Sequence, residues 1–274
     1  MKEGYWVIRT YKAGRIGEKI KYWVPGQKPT RSQRRIKADI RKQQQNENDA
    51  TKRVARIINE NYQSGDAFDA LTYSDENYIR LLEGIPEGLD EEARRDYIYR
   101  QAEHELDLFL RRCRYACKKV GVELKYFAIT SDMDGETGEP ARIHHHILVS
   151  KAVKKIIRPI WQNGIIEKNS IWEEEDHFGL AKYLMDQVRR IPDAKKYKRS
   201  RNMVIPEPKD RVALGGKEVQ PPRGAEIIYR GTFLPGRPQY IRYILPKENV
   251  PCGGVDPGNE TGGGKTVDNE NRLC

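Results

Sequence analysis

The chain has 274 residues, 33% of them charged, and a mean hydropathy of −0.83, the composition of a soluble protein with room for one good-sized domain or two small ones. No apolar run approaches a bilayer span, and the start, MKEGYWVIRTYK, has no signal-peptide core, so membrane and secreted classes are set aside and a cytoplasmic location is expected. The formal charge is +10, and residues 1–60 carry sixteen basic against six acidic side chains, so the whole excess sits at the front, a footprint suited to a polyanion such as nucleic acid or else a solvated face.

Two β-rich runs, Tyr5–Tyr11 and Lys19–Val24, flank a loop with Gly14 and Gly17 and read as a hairpin. Pro25, Gly26 and Pro29 break the chain, and a helical pattern follows from Thr30 to about Asn61. The polar stretch Lys42–Asp49 within it reads as a turn or an exposed helix face. Arg31, Arg34, Arg35, Arg41 and Lys42 line the same region, either along phosphates or as a solvated helix. Ala67–Tyr73 is a short strand. Asp90 opens a long helix, with Ile98, Ala102, Leu106, Phe109, Cys113 and Cys117 three or four apart and Gly121 at its end. Leu124–Thr130 is a second strand, Ser131–Pro140 a turn, and Arg142–Val149 a third strand. This order predicts an antiparallel sheet with helices on one face. A helix is expected over Asp176–Arg190. Residues 207–223 have a linker's composition, Ile227–Leu245 suits a hairpin, and the last 24 residues read as disordered.

Cys113 and Cys117 fall in a helical pattern and Cys252 and Cys274 in a glycine-rich tail, which is neither a disulfide framework nor a paired zinc layout. TGGGKT at residues 261–266 lacks the first glycine of a phosphate loop, Asn259 standing in its place, so no nucleotide-binding domain is expected.

The sharpest feature is His144-His145-His146, three of only five histidines, in the middle of a strand. Side chains alternate across a strand, so His145 shares the apolar face of Ile143, Ile147 and Val149, while His144 and His146 stand side by side on the other. Two imidazoles on one face are a clamp for a divalent metal, or a pair of satisfied surface histidines. A metal would need an oxygen as third ligand. Asp132 is the nearest candidate, because the intervening turn folds its strand back beside the histidines; Asp134, Glu136 and Glu139 suit the turn itself. The cluster Lys195, Lys196, Lys198, Arg199 and Arg201, with Tyr197 inside it, suits a single-stranded backbone and one stacking platform, or a solvated loop.

The run ARIHHHILVS resembles the His–hydrophobic–His motif of the HUH endonuclease superfamily, with His145 in the middle position. FDALTY is similar to that family's first motif, and FGLAKYLMDQ to its third, a helix carrying a nucleophilic tyrosine. KKYKRSRNM resembles the basic stretch that follows in replication-associated proteins of bacterial plasmids and phages. All four fall in order within residues 66–203. Two departures stand out. Ser131 takes the place where many relatives have a carboxylate, and Asp186 stands where relatives carry a Lys, so Lys182 or the Lys195/Lys196 pair is left to supply that charge.

The resemblance implies an α+β fold of RRM-like (ferredoxin-like) type, a central antiparallel sheet with flanking helices. It implies a rolling-circle replication initiator that nicks single-stranded DNA through a 5′-phosphotyrosine and rejoins it. Tyr183 would be the single nucleophile, and His144, His146 and Asp132 would hold Mg²⁺ or Mn²⁺. Lys182, Lys195, Lys196, Lys198, Arg199, Arg201, Arg34 and Arg35 would contact DNA. The expected partners are single-stranded DNA at an origin hairpin and a host helicase, with no membrane. The organisation expected is a basic N-terminal region over residues 1–60, a nuclease domain over 61–205, a linker and hairpin over 206–250 and a tail over 251–274. A mobilisation relaxase or transposase of the same superfamily, and a non-catalytic nucleic-acid-binding protein, are the alternative readings.

Overall fold

The computed structural model describes residues 4–26, 40–135, 137–172, 175–188, 195–213, 217–231 and 238–247. Arg31, Arg34 and Arg35, the turn residue Glu136 and the glycine-rich tail lie outside the described residues. The chain opens with the hairpin β1 (Tyr5–Ala13) and β2 (Ile16–Val24), paired without a break from Tyr5↔Val24 to Ala13↔Ile16. That pairing leaves a loop of only Gly14 and Arg15, shorter than the sequence suggests. Gly14 takes φ +57°, and a side chain there would reach 2.6 Å from the Asn59 carbonyl, so glycine is required twice over.

Helix α1 (Ile40–Asn61) runs unbroken through the polar stretch, which is therefore helix rather than turn. The expected strand follows as β3 (Ala67–Leu71), then a short helix α2 (Asp75–Leu82) capped by Ser74. Helix α3 (Glu91–Lys119) starts where its signals place it, with the Asp90 carboxylate accepting from the Ala93 amide at 2.8 Å. All six of its apolar positions named from the sequence are buried. Strands β4 (Tyr126–Met133) and β5 (Pro140–Val149) then form a hairpin around a tighter turn than expected, 134–139. After α4 (Lys151–Ile157), a 3-10 turn (Arg158–Ile160) and the two-residue β6 (Ile166–Glu167) comes α5 (Phe178–Asp186), the core of the expected late helix. The remaining strands are β7 (Lys198–Arg199), β8 (Lys209–Ala213), β9 (Glu226–Arg230) and β10 (Gln239–Ile244).

Among the described residues the protein is α+β, with two antiparallel five-stranded sheets and five α-helices, an arrangement compatible with an RRM-like fold. The first sheet has the order β8-β1-β2-β10-β9 and the second β6-β3-β5-β4-β7. The N-terminal hairpin and the late hairpin thus share one sheet. Strand β8 lies inside the stretch whose composition suggests a linker. Its side chains are almost all exposed, so no apolar alternation marks it, and it is held by pairing with β1 and by the Arg9–Asp210 ion pair at 2.7 Å.

The second sheet is covered on both faces, where the sequence suggests one. Ala128, Ile147 and Val149 pack toward α3, while Phe127, Ile129 and Leu148 pack toward α1 and α5. A strand buried on both sides reads as a plain apolar run, so the second layer leaves no periodic signal. Helix α1 also holds the first sheet. Its Arg56 makes a two-pronged pair with buried Glu18 of β2, at 3.0 and 2.6 Å, and lies 3.6 Å over the Tyr11 ring. Removing one partner of a buried pair strands the other charge. Arg56→Ala is expected to lower the unfolding free energy by about 3 kcal/mol or more in urea denaturation, and Arg56→Met/Glu18→Gln by distinctly less.

Candidate active site

Strand β5 is the middle of its sheet, paired with β3 on one side and β4 on the other, and its three histidines go alternately to the two faces. His145 is fully buried on the α3 side. The Tyr73 hydroxyl donates to its Nε2 at 2.8 Å, and its Nδ1–H donates to Thr130 Oγ1 at 2.9 Å. The Thr130 hydroxyl donates onward to the Glu103 carboxylate, which Lys198 of β7 neutralises at 3.1 Å. Every donor in this chain points the same way, which needs a neutral imidazole. Burial does most to push His145 down, to about 3, with the neighbouring His144, Lys198 and His146 adding to it.

His144 and His146 meet on the other face, ring centroids 4.9 Å apart and edge to face. His144 Nδ1–H donates to the Arg142 carbonyl at 2.9 Å, leaving its Nε2 lone pair unused. His146 is buried, and its Nε2 donates to Gln187 Oε1 at 3.2 Å. Its Nδ1 is buried without a partner. Burial, then the His144 charge, pushes His146 down to about 4 against the opposing pull of Gln187, so it too is neutral near pH 7.

Helix α5 supplies the rest. Ala181 and Leu184 bury its apolar face, and this turns Tyr183 to the margin of the sheet, 36% exposed. Tyr183 touches His146 edge-on at 5.5 Å and Phe68 of β3 at 6.0 Å, and Phe68 in turn stacks on His146 at 5.3 Å. The Tyr183 ring also lies against Gly135, where a Cβ would come within 2.5 Å of it, so the β4–β5 turn can pass this ring only as glycine. Gln187 stands one turn after Tyr183. Its amide donates to the Tyr183 carbonyl at 3.2 Å, and its own carbonyl accepts from Ser131 Oγ at 3.0 Å.

The structure brings together His144, His146 and Tyr183 and leaves Asp132 apart from them. The Asp132 side chain goes to the α3 side, where Arg95 holds it at 2.6 and 3.0 Å. Gln187 and Phe68 were missed from the sequence. Gln187 is legible as the residue four after Tyr183 on one helix face, and Phe68 as a neighbour of Ala70, which pairs with His146. Neither residue type announces a site by itself. Of the expected DNA contacts, Lys195, Lys196 and Arg201 are exposed, and Arg199 is half-buried and donates to the Ser200 carbonyl. Lys198 is held by Glu103 and Asp107, and Lys182 by Asp186 at 2.5 Å. Ser200 is taken up by the Tyr126 amide and Asn202 by the Leu124 carbonyl.

Among the described residues no three His, Cys, Asp or Glu side chains are grouped to hold a metal. The donor chemistry nevertheless fits one when an amide is counted. Two neutral imidazoles each keep a lone pair, one of them on an orphaned buried nitrogen, and a carboxamide oxygen adjoins them. The hydrogen bond from His144 to a backbone carbonyl is the support that a ligating histidine ordinarily has.

Residues 66–190, slightly under half of the chain, match the model of a family described as replication-associated protein, of the ORF2 type. The matched stretch begins just before β3 and ends past α5, so it takes in both outward histidines, Tyr183 and Gln187 and leaves out the first sheet. That similarity connects this segment with DNA replication. No curated protein and no solved structure matches the chain. No helix among the described residues is long and apolar enough to cross a membrane.

The inward histidine gives a test independent of any activity. His145→Leu leaves the Tyr73 and Thr130 hydroxyls without their partner, and urea denaturation should show a loss of about 2 kcal/mol or more. His145→Gln, which restores a donor and an acceptor, should lose less.

Proposed function

We propose that this protein is a rolling-circle replication initiator of the HUH endonuclease type, which nicks single-stranded DNA at an origin with Tyr183 as nucleophile. The observation that carries the reading is the contact of Tyr183 with His146, beside His144, inside the segment similar to replication-associated proteins. A phosphodiester repels nucleophiles through its own negative oxygens, so the site must place the attacking atom and offset that charge. Phe68, the Gly135 backbone and the amide of Gln187 hold Tyr183 from three sides, so the ring is positioned before substrate arrives.

In the reaction, a bond forms from Tyr183 Oη to phosphorus as the bond from phosphorus to the 3′ oxygen breaks. The phenolic proton leaves to solvent at the exposed edge of the ring, and the departing 3′ oxygen takes up a proton. The 5′ end stays on Tyr183 as a phosphodiester, so the reverse attack by a 3′-hydroxyl rejoins DNA without ATP. His144, His146 and Gln187 would hold a divalent ion, Mn²⁺ or Mg²⁺, which when bound neutralises phosphate oxygen charge. Gln187 is proposed as the oxygen donor in place of Asp132, whose carboxylate is engaged by Arg95. Lys195, Lys196 and Arg201 are left to face the DNA backbone, Lys198 serves to fix β7, and unwinding falls to a separate helicase.

Incubated with single-stranded oligonucleotides from its own replicon and Mn²⁺, the protein should give an SDS-resistant protein–DNA adduct. EDTA should abolish it. Tyr183→Phe should reduce it by about a thousandfold or more, and Gln187→Ala by about 10–100-fold, with DNA binding largely kept in both. An adduct undiminished in Tyr183→Phe would end the proposal.

A further inference from the structure

We infer that the DNA strand follows one continuous basic trench along the β7 edge of the second sheet, from the C-terminal end of α3 across β7 to the exposed side of α1. This rests on the nickase reading and adds the path of its substrate. Two depressions flank β7 and share the walls Tyr126, Arg199 and Arg201. The first runs back to Arg114 and Lys118 of α3, and the second runs forward past Lys195 and Lys196 to Arg53 of α1. Arg53 is also a wall of a third depression, which continues between α1 and the first sheet. The walls of the first two hold eight Lys and Arg against three carboxylates, a balance that selects a polyanion.

Neighbouring cations are already engaged: Arg9 with Asp210, Lys182 with Asp186 and Lys198 with Glu103 and Asp107. Arg53, Arg114, Lys118, Lys195, Lys196 and Arg201 are different. All six are exposed, and among the described residues none pairs with a carboxylate. A pairing-free row of this kind is what phosphate contacts require, because counterions rather than protein carboxylates are displaced on binding. The trench also starts at the catalytic helix: Met185, two residues after Tyr183, is part of its wall. Strand β7 is two strands from β5, about 10 Å at the usual strand spacing. Tyr197 lines the same wall with its ring stacked on Phe127 at 4.8 Å, a rigid aromatic surface for a base. A narrow path with one aromatic step suits a single strand.

The test is fluorescence anisotropy of the full chain with a labelled 30-nucleotide single strand in EDTA, over a KCl series. Six phosphate contacts predict a slope of log affinity against log salt near −4 at about 0.7 per contact. Arg53→Ala/Arg114→Ala/Lys118→Ala should flatten the slope by about 2 and weaken binding at least tenfold, while Arg53→Lys/Arg114→Lys/Lys118→Arg should keep the original slope. A triple alanine variant with unaltered slope and affinity overturns the trench but leaves the nickase reading intact if the adduct still forms. Failure of the unmutated chain to bind any single strand overturns both. A 30-base-pair duplex bound as tightly, with the same loss in the alanine variant, overturns the assignment to a single strand.

Discussion

A strand with packing on both faces must find a use for every polar side chain it carries, and β5 carries three imidazoles in succession at the centre of the second sheet. Burying an imidazole favours its neutral form and leaves one donor and one acceptor to be answered. The α3 face answers in full: Tyr73 gives to His145, His145 gives to Thr130, and Thr130 gives to Glu103. The α5 face answers in part. There His146 commits one nitrogen to Gln187 and keeps the other unsatisfied. One pleat therefore sorts chemically identical residues into a closed polar network and an open pair, and only the open pair has anything left to offer a ligand.

That sorting was legible in the sequence because the period-two rule needs nothing beyond the strand itself. Ile143, Ile147 and Val149 mark the inward face, and the histidine faces follow from them. The long helix was legible for a similar reason, since Asp90, Gly121 and the apolar spacing between them are local signals. What the sequence left dark depends on contacts distant along the chain. Asp132 follows Ser131 in the strand and so turns to the opposite face, where Arg95, 37 residues earlier, is waiting. Strand β8 is held by pairing with residues some two hundred positions away and shows no burial pattern of its own. The second layer over the sheet was hidden because Phe127, Ala128 and Ile129 are all buried, which erases alternation.

Gln187 links these two kinds of information. Its position one turn after Tyr183 is fixed by helix geometry, while its meeting with His146 is fixed by how α5 docks on the sheet through Ala181 and Leu184. The docking and the site are one arrangement, because the same nine-residue helix buries its apolar side and presents Tyr183 and Gln187 at its margin. The β4–β5 turn completes the margin from the other side, with Gly135 against the Tyr183 ring and Ser131 bonded to the Gln187 carbonyl. Both outer contacts come from the hairpin that bears the histidines, so the nucleophile is referenced to the same strands as its neighbours.

The inward network also reaches the substrate side. Lys198 sits on β7, beside the basic segment, yet its charge is given to Glu103 and Asp107 of α3. Glu103 is the carboxylate that terminates the His145 chain, so the edge strand is tied by one buried polar path to the centre of the sheet. A two-residue strand has little pairing of its own to hold it, with only Phe127↔Arg199 and Ala128↔Lys198 in register. The ion pairs therefore decide where β7 lies, and with it where Arg199 and Arg201 present their charge. His145 thus acts on both sides of the molecule: it sets the orientation of the two outward histidines through the pleat, and through Thr130, Glu103 and Lys198 it steadies the edge along which DNA is proposed to run.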